Sequence, residues 1–342
     1  MPGKKSFLAK ILSQTGLAPS FVRLRAIVKA EITILAYHRV LDQWDESAFE
    51  FDIELISASV QDFEWQMRYV RECYSPITFR DLIAFLDGQS ELPPRPILIT
   101  FDDGFDDNYF HAFPVLKRVG VPATIFLSTG YIGGTRTFWY DWLCHMCLRA
   151  SCSRPSIIFA GREFPMGTDP SQCRGNIAEL FKFVKRMQDV ALRAELLKLE
   201  TELQLDYPVE GFTQSRPLKW EHVREMANEG IEFGSHAVTH PILTNLTRQK
   251  LHEELLVSKL KIEQETSQRT EVIAYPVGED FAFDGAVVDA ALASGYRMGA
   301  SYISGVNNLE DLDYFRLKRL HVERYTSRSD FQGMLAFPRF LA

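Results

Sequence analysis

Four aspartates lie within six positions in the segment 100–108, TFDDGFDDN, directly after the apolar run ILIT. The neighbouring carboxylates of Asp102 and Asp103 repel each other, and a bound cation would relieve that repulsion. The active sites of α/β folds lie at the carboxyl ends of parallel strands. The segment therefore predicts a cation-binding or catalytic site at this aspartate pair. We expect at least one of Asp106 and Asp107 to cap the helix that follows.

A pair of histidines follows a second short strand pattern. The segment 234–241, GSHAVTHP, contains His236 and His240, and this spacing lets two imidazoles meet on one side of a helical turn. Two neutral imidazoles and one carboxylate form a three-ligand site with an open position, which is the arrangement of a hydrolytic metal centre. Because a barrel brings the ends of its strands together at one mouth, the histidines and the aspartates predict one shared site.

The elements that must position these residues follow an α/β pattern, in which short β-rich runs alternate with helical periodicity from residue 31 onward. The predicted strands are 31–37, 96–101, 121–127, 231–235, 271–275 and 317–323. Helices are predicted at 61–72, 108–118, 220–229, 247–265 and 285–294. Residues 134–215 interrupt the alternation with a loop-rich start and a long helical stretch at 176–205. We interpret them as an insertion, either a small subdomain or a lid; a second independent domain is the less favoured alternative, because strand signals resume directly afterwards.

Two features of the insertion have alternative interpretations. It holds four of the five cysteines, including the CHMC segment 144–147. A zinc site there lacks a paired second CxxC, so free thiols are the favoured interpretation. The aromatic side chains of Phe138, Trp139, Tyr140 and Trp142 could either line a sugar cleft or pack the insertion.

Charge and composition limit the function classes. The chain has 342 residues and a net charge of −7, which argues against a nucleic-acid partner. Residues 1–30 carry six Lys or Arg and no Asp or Glu. This basic arm could contact an anionic membrane surface peripherally, keep the chain in solution or dock on the barrel. The few cysteines, odd in number, favour a reducing compartment, and the arm lacks the pattern of a secretory signal, so we expect a cytoplasmic protein.

The motif pair carries a family resemblance. TFDDG followed by SHxxxHP resembles the two leading motifs of the polysaccharide deacetylases, carbohydrate esterase family 4. The upstream YHRV at 37–40, the approach at 218–236 and AYPVG at 274–278, which is similar to the third motif, support it. The resemblance covers about 31–133 and 216–300.

The resemblance implies a fold and an activity. The fold is a distorted (β/α)7 barrel, with a catalytic domain over 31–342 and the insertion at about 134–215. The activity is metal-dependent hydrolysis that removes N-acetyl groups from the amino sugars of a polysaccharide or a lipid-linked glycan precursor and releases acetate. The substrate partner is therefore an acetylated amino-sugar oligo- or polysaccharide.

Carried onto this chain, the resemblance also implies residue roles. Asp102 is the general base, and Asp103, His236 and His240 bind one divalent ion. Ligand preference favours zinc, and cobalt, nickel or manganese also suit such a site. The backbone N–H of Val277, the residue after the third motif's proline, stabilises the oxyanion.

The chain departs from the family pattern in two places. Ala274 stands where many members carry the arginine that orients the base, so Arg319 is a candidate replacement, with a structural role as the alternative. The late Leu-x-x-His motif that supplies a general acid is not plainly present, and His321 lacks its flanking residues. The chain is most similar to the poly-N-acetylglucosamine deacetylase subset, which shares the early YHxV. The resemblance therefore implies His38 as the acid, with a strand-capping histidine as the alternative.

Two other functions remain as alternatives. A phosphatase or glycosyltransferase would use a DxD motif, but Asp102 and Asp103 are adjacent and the two histidines would have no role. A carbohydrate-binding barrel with a degenerate, inactive site is the second alternative, and the missing third-motif arginine is the reason to consider it.

Overall fold

The structure is a computed structural model that describes residues 30–167 and 169–338. The strands are β1 (Glu31–Tyr37), β2 (Arg39–Leu41), β3 (Ile56–Ser59), β4 (Ser75–Pro76), β5 (Pro96–Phe101), β6 (Thr124–Leu127), β7 (Ser156–Phe159), β8 (Arg162–Pro165), β9 (Glu232–Ser235), β10 (Val272–Ala274), β11 (Met298–Ser304), β12 (Asn307–Asn308) and β13 (Leu317–His321). The helices are α1 (Val60–Cys73), α2 (Phe79–Leu86), α3 (Phe113–Val119), α4 (Trp139–Ser151), α5 (Pro170–Val184), α6 (Asp189–Leu203), α7 (Trp220–Asn228), α8 (Arg248–Thr266), α9 (Gly285–Ala293) and α10 (Arg328–Ala336).

Seven parallel strands close into a barrel. Strands β1, β5, β6, β9, β10, β11 and β13 follow one another around the ring, and β13 pairs back to β1. The ring is uneven, because β9 and β10 meet only at Ser235 and Ile273, and the register shifts between β11 and β13. The predicted distorted (β/α)7 barrel is confirmed.

The barrel strands are buried because helices cover the outer face and side chains fill the interior. All six residues of β5, PILITF, are buried, which is typical of a parallel strand covered on both faces. Inside the barrel, Gly234 on β9 lies against the phenyl group of Phe126, and an added Cβ would lie 2.4 Å from that phenyl group. Only glycine lets these two strands approach so closely.

The predicted strands agree with the observed ones, but several observed elements were not predicted or differ from their prediction. Strand β11 was not predicted at all. The single helical stretch predicted at 176–205 is two helices, α5 and α6, which are separated at 185–188. The break contacts the barrel, because Asn245 Nδ2 donates to the carbonyl oxygens of Lys185 and Met187 at 3.4 and 2.8 Å.

The segment between β6 and α7 forms a cap with its own apolar core. Helices α4, α5 and α6 and the β7–β8 hairpin surround a buried cluster that includes Trp142, Phe159, Leu180 and Leu196. We call this part of the chain, 139–203, the cap. Its cysteines are free thiols, and the groups of ligand side chains that could hold a metal in the described residues include none of them.

Residues 1–29 of the predicted basic arm lie outside the described residues. Its contact with an anionic membrane surface and the cytoplasmic location therefore stay predictions. Among the helices in the described ranges, none has the length and apolar character to cross a membrane.

Candidate active site

Asp102 and Asp103 lie in a tight turn at the carboxyl end of β5. The Asp102 N–H donates to the carbonyl oxygen of Tyr37 at 2.9 Å, which ties the turn to β1. Asp103 has a φ of +74° and Gly104 a φ of +88°. An added Cβ on Gly104 would lie 2.7 Å from the Leu127 side chain, so this position requires glycine for conformation and for space. Both aspartates are buried at the barrel mouth.

The two later aspartates of the motif do not cap a helix as expected. A wide helical turn, Asn108–Ala112, begins after Asp107, but the Asp107 side chain makes no capping hydrogen bond to it. Its carboxylate instead accepts from Arg39 Nε at 2.9 Å and from the Val40 N–H at 3.0 Å. Arg39 is 2% exposed, and its charge strengthens the hydrogen bond to Asp107. The Asp107 carboxylate therefore faces Arg39 and does not cap the helical turn.

His236 and His240 lie in an irregular loop after β9, so the expectation of a helical turn between them is wrong. Ala237 and His240 have φ values of +63° and +53°, and this backbone reversal brings the imidazole centroids within 4.8 Å of each other. Residues other than glycine rarely adopt positive φ values. Such backbone conformations concentrate at functional sites, where the surrounding structure stabilises them.

Asp103, His236 and His240 form a buried group whose ligand atoms all lie within 4.8 Å of one another. Asp103 Oδ1 is 3.5 Å from His236 Nε2 and 3.3 Å from His240 Nε2. His236 Nδ1 lies 2.7 Å from the Ala274 carbonyl oxygen, and donation to that oxygen leaves the Nε2 lone pair free. Burial lowers the pKa of His236 to about 4, so the imidazole is neutral near pH 7.

This group fits a divalent cation. Asp103 Oδ1 is buried, and the described residues give it no hydrogen-bond donor. An unsatisfied buried carboxylate oxygen is costly unless a cation or a donor faces it. One carboxylate and two neutral imidazoles are a ligand set that zinc takes in catalytic sites, with a fourth position left open.

Arg319 on β13 holds the Asp102 carboxylate in a two-pronged ion pair. Its Nη1 and Nη2 atoms each lie 2.7 Å from one oxygen of Asp102, and its Nε donates to the Ser301 carbonyl oxygen at 2.7 Å. Arg319 is fully buried. Burial alone would raise the pKa of Asp102, but the charge and hydrogen bonds of Arg319 outweigh it and hold that pKa below its usual range. Asp102 is therefore ionised and oriented although Ala274 replaces the family's third-motif arginine.

The His38 and His321 rings both contact the Tyr302 ring. The His38 backbone is held by Ser57 Oγ, which accepts its N–H at 2.9 Å, and by Asn108 Nδ2, which donates to its carbonyl oxygen at 2.8 Å. The His321 ring stacks on Tyr302 with centroids 3.6 Å apart, and burial lowers the His321 pKa to about 3. Of the two histidines, His38 lines the cavity described next and His321 does not.

A cavity of about 460 Å³ brings every predicted site residue together. The residues that line it include the aspartate pair, the histidine pair, His38 and Val277. Val277 has a φ of +65°, an outlier for a β-branched residue and a further sign of a constrained functional loop. The aromatic and charged side chains around the cavity are Trp139, Tyr140, Phe181, Tyr275, Tyr302, Tyr325, Asp52, Glu54, Lys182, Lys185, Glu279 and Glu323.

The family model described as polysaccharide deacetylase matches residues 89–299. The chain belongs to the polysaccharide deacetylase family. This membership confirms the predicted enzyme class, a hydrolase that acts on carbon–nitrogen bonds outside peptides.

Known relatives of this deacetylase cover most of the described chain. YxkH of Bacillus subtilis is 23% identical over 303 residues, which span 88% of this chain and 75% of YxkH. The poly-beta-1,6-N-acetyl-D-glucosamine N-deacetylase of Staphylococcus epidermidis is 26% identical over 210 residues, 58% of this chain and 70% of that enzyme. This match confirms the predicted similarity to the poly-N-acetylglucosamine deacetylase subset of the family. The structure of the Streptococcus pyogenes deacetylase PplD in complex with acetate has the same fold, with a TM-score of 0.58, 18% identity and coverage of 92% and 99%.

Sequence patterns missed several residues of this deacetylase's cavity. Tyr302 belongs to β11, which had no strand signal, and Asp52 lies in a loop without a motif. Glu323 stands at the end of the predicted strand 317–323, so its position at the carboxyl end was a usable signal. Of the four aromatic side chains with two interpretations, Trp139 and Tyr140 line the cavity. All four side chains belong to the buried apolar cluster that the cap surrounds, and Phe138 and Trp142 do not line the cavity.

Proposed function

We propose that this deacetylase removes N-acetyl groups from acetylated amino sugars of a polysaccharide or a lipid-linked glycan precursor. In this proposal, Asp103, His236 and His240 bind one divalent ion, preferably zinc, with cobalt, nickel or manganese as the other ions that suit the site. The observation that carries the proposal is the convergence of these three ligand atoms beside the ionised Asp102 carboxylate on one cavity wall.

The chemistry divides among the chain's own residues. A divalent ion held by these ligands supplies a Lewis acid for the amide carbonyl and lowers the pKa of water that it binds. Asp102, oriented by Arg319, accepts a proton from the attacking water. The backbone N–H of Val277 donates to the carbonyl oxygen as negative charge develops there. His38 gives a proton to the departing nitrogen, because an amide anion is too basic to leave unaided.

The cavity supports a sugar substrate. Trp139, Phe181 and Tyr325 border it, and flat aromatic rings present apolar surfaces that suit the faces of a pyranose ring. A cavity of about 460 Å³ at the barrel mouth has room for the reacting sugar, while its partly open rim lets neighbouring sugars of a longer chain extend outward.

The proposal is tested by measuring acetate and free amine released from an N-acetylglucosamine oligomer, with metal content measured on the same samples. We expect the zinc-loaded protein to release equal amounts of both products. Asp102→Asn should keep its zinc and lose about 10²-fold or more in kcat. His236→Ala and His240→Ala should lose both the metal and turnover. Full metal occupancy in either histidine variant, or no acetate release by the zinc-loaded protein, would overturn the proposal.

A further inference from the structure

The loop between the two histidines is held from both sides by residues outside the proposed metal group. It turns through two non-glycine residues with positive φ, Ala237 and His240. Such a backbone persists only where tertiary contacts hold it. The contacts that hold this loop therefore decide where the His240 imidazole lies.

On the barrel side, Glu254 of α8 holds the loop. Its side chain is 1% exposed. Oε2 accepts the backbone N–H groups of Val238 and Thr239, each at 2.8 Å, and Oε1 accepts the Thr239 hydroxyl at 2.9 Å. Lys250 Nζ, half exposed, lies 3.9 Å from Oε1. The main partners of this buried carboxylate are thus donors from the two residues between the histidines.

On the opposite side, the cap holds the same loop. Arg193 of α6 donates from Nη2 to the Thr239 carbonyl oxygen at 2.8 Å, and its Nε contacts Asp189 at 3.2 Å. Trp139 of α4 donates from Nε1 to the carbonyl oxygen of His240 at 3.0 Å. The peptide groups around Thr239 therefore bridge a barrel helix and two helices of the cap.

We propose that Glu254 and Arg193 are positioning residues for the metal site, and that the cap is part of the metal centre's support. The inference rests on the ligand role of His240 in the proposed function. Neither residue touches the ligand atoms; both act by fixing the loop that carries His240. Partners that orient metal ligands change metal affinity by roughly 10–100-fold when they are removed.

The test measures zinc affinity directly, by competition of the metal-free full-length chain with a chromogenic chelator. Glu254→Gln keeps the shape of the side chain but loses the charge that strengthens its hydrogen bonds. Arg193→Met removes the donor to Thr239, and Arg193→Lys keeps one donor. We expect the zinc dissociation constant to rise about 10-fold or more in Glu254→Gln and Arg193→Met, and less in Arg193→Lys.

Two matched controls separate positioning from general stability. Glu253→Gln changes the exposed neighbour on α8, and Arg154→Met removes a surface ion pair of the cap with Glu202. Both should bind zinc as the unmodified chain does. A purely structural role would lower the thermal midpoint of Glu254→Gln and Arg193→Met without changing zinc affinity well below that midpoint.

The outcomes distinguish this inference from the proposed function. If the unmodified chain binds no zinc, or if His240→Ala binds it equally well, the assignment of the metal ligands is wrong. If the unmodified chain binds zinc through His240 but both positioning variants match their controls, only the present inference is overturned. If Glu254→Gln does not fold, the Arg193 pair decides the question alone.

Discussion

Asp102 and Arg319 form a buried ion pair, and each charge depends on the other. Removing one partner of such a pair leaves an uncompensated buried charge, which costs about 3–5 kcal/mol. We expect Arg319→Met to lower the free energy of unfolding by about that amount near pH 8, as measured by urea unfolding. The double variant Arg319→Met with Asp102→Asn should recover most of the loss, and a deficit that stays undiminished there would contradict the coupling.

The same variant has a predictable pH dependence. Without Arg319, burial would raise the pKa of Asp102 above its value in the unfolded chain, since burial is the cause that opposes the arginine. A carboxyl group with a raised pKa favours the folded state when it is protonated, and this contribution is lost as the pH rises through the folded-state pKa. The stability deficit of Arg319→Met should therefore be smaller near pH 5 than near pH 8. An equal deficit at both pH values would argue against a buried charge as its cause.

His38 and His321 can be separated by kinetics. If His38 is the general acid, the His38→Ala variant should have a kcat lower by about 10²–10⁴ and no alkaline limb in its pH–rate profile, with its metal content unchanged. The His321 ring is stacked on Tyr302, and its pKa near 3 leaves it without a proton to donate at neutral pH. His321→Ala should therefore keep near-normal kcat. If His321→Ala alone shows the loss, the acid is not His38.

At the scale of elements, Glu232 joins β9 to a helix terminus at the barrel end opposite the active site. Its carboxylate accepts the backbone N–H groups of Phe79 and Arg80 at the start of α2, and also the Thr124 hydroxyl. We expect Glu232→Ala to destabilise the fold by about 1–3 kcal/mol, because the donors of the buried residues Phe79 and Thr124 lose their acceptor. Its kcat/KM should not change at temperatures where it is folded.

The control for this prediction is Glu229→Ala. Glu229 makes an exposed ion pair with Lys117 at 2.9 Å, and such pairs contribute about 0–1 kcal/mol. Thermal unfolding and steady-state kinetics measure both variants. If Glu232→Ala and Glu229→Ala lose the same stability, or if Glu232→Ala has a lower kcat/KM, Glu232 does not have a purely structural role at the barrel end opposite the active site.

Strand β11 shows why part of the fold could not be predicted from local sequence. Its central residues, Gly299, Ala300 and Ser301, are small because other parts of the barrel occupy the space around them. An added Cβ on Gly299 would lie 2.1 Å from the Tyr275 hydroxyl, and Ser301 presents its carbonyl oxygen to Arg319. These long-range demands remove the β-branched pattern by which a strand is predicted.

The site was more predictable than its support. Motif spacing and the family resemblance brought Asp102, Asp103 and the histidine pair to one place, since strand ends in a barrel share one mouth. The sequence did not decide whether Arg319 contacts Asp102, because the local sequence around a buried arginine does not differ from that around a surface arginine. The Glu254 contacts with the histidine loop had no sequence signal at all, because they join a helix interior to backbone groups.

At the scale of the whole molecule, metal binding and folding should be coupled. The proposed ligands come from the turn after β5 and the loop after β9, which the unfolded chain does not hold together, so zinc should bind the folded state preferentially. Zinc at about 100 times its dissociation constant adds roughly 2.7 kcal/mol of stability. We expect zinc to raise the thermal midpoint of the metal-free chain and to leave that of His240→Ala unchanged. An equal shift in both would place the stabilising ion elsewhere.

The Asp102–Arg319 pair also sets a time at which the active site can first exist. The two residues are 217 positions apart, one on the turn after β5 and the other on β13, which also closes the ring against β1. At about 5–20 residues per second, a ribosome needs roughly 10–40 s to make the chain between them. During that interval the nascent chain contains Asp102 and later both histidines, but the Asp102 carboxylate has no arginine to orient it. If Asp102 is the general base, we expect the growing polypeptide to have no activity until β13 has left the ribosome, because β13 both carries Arg319 and pairs with β1.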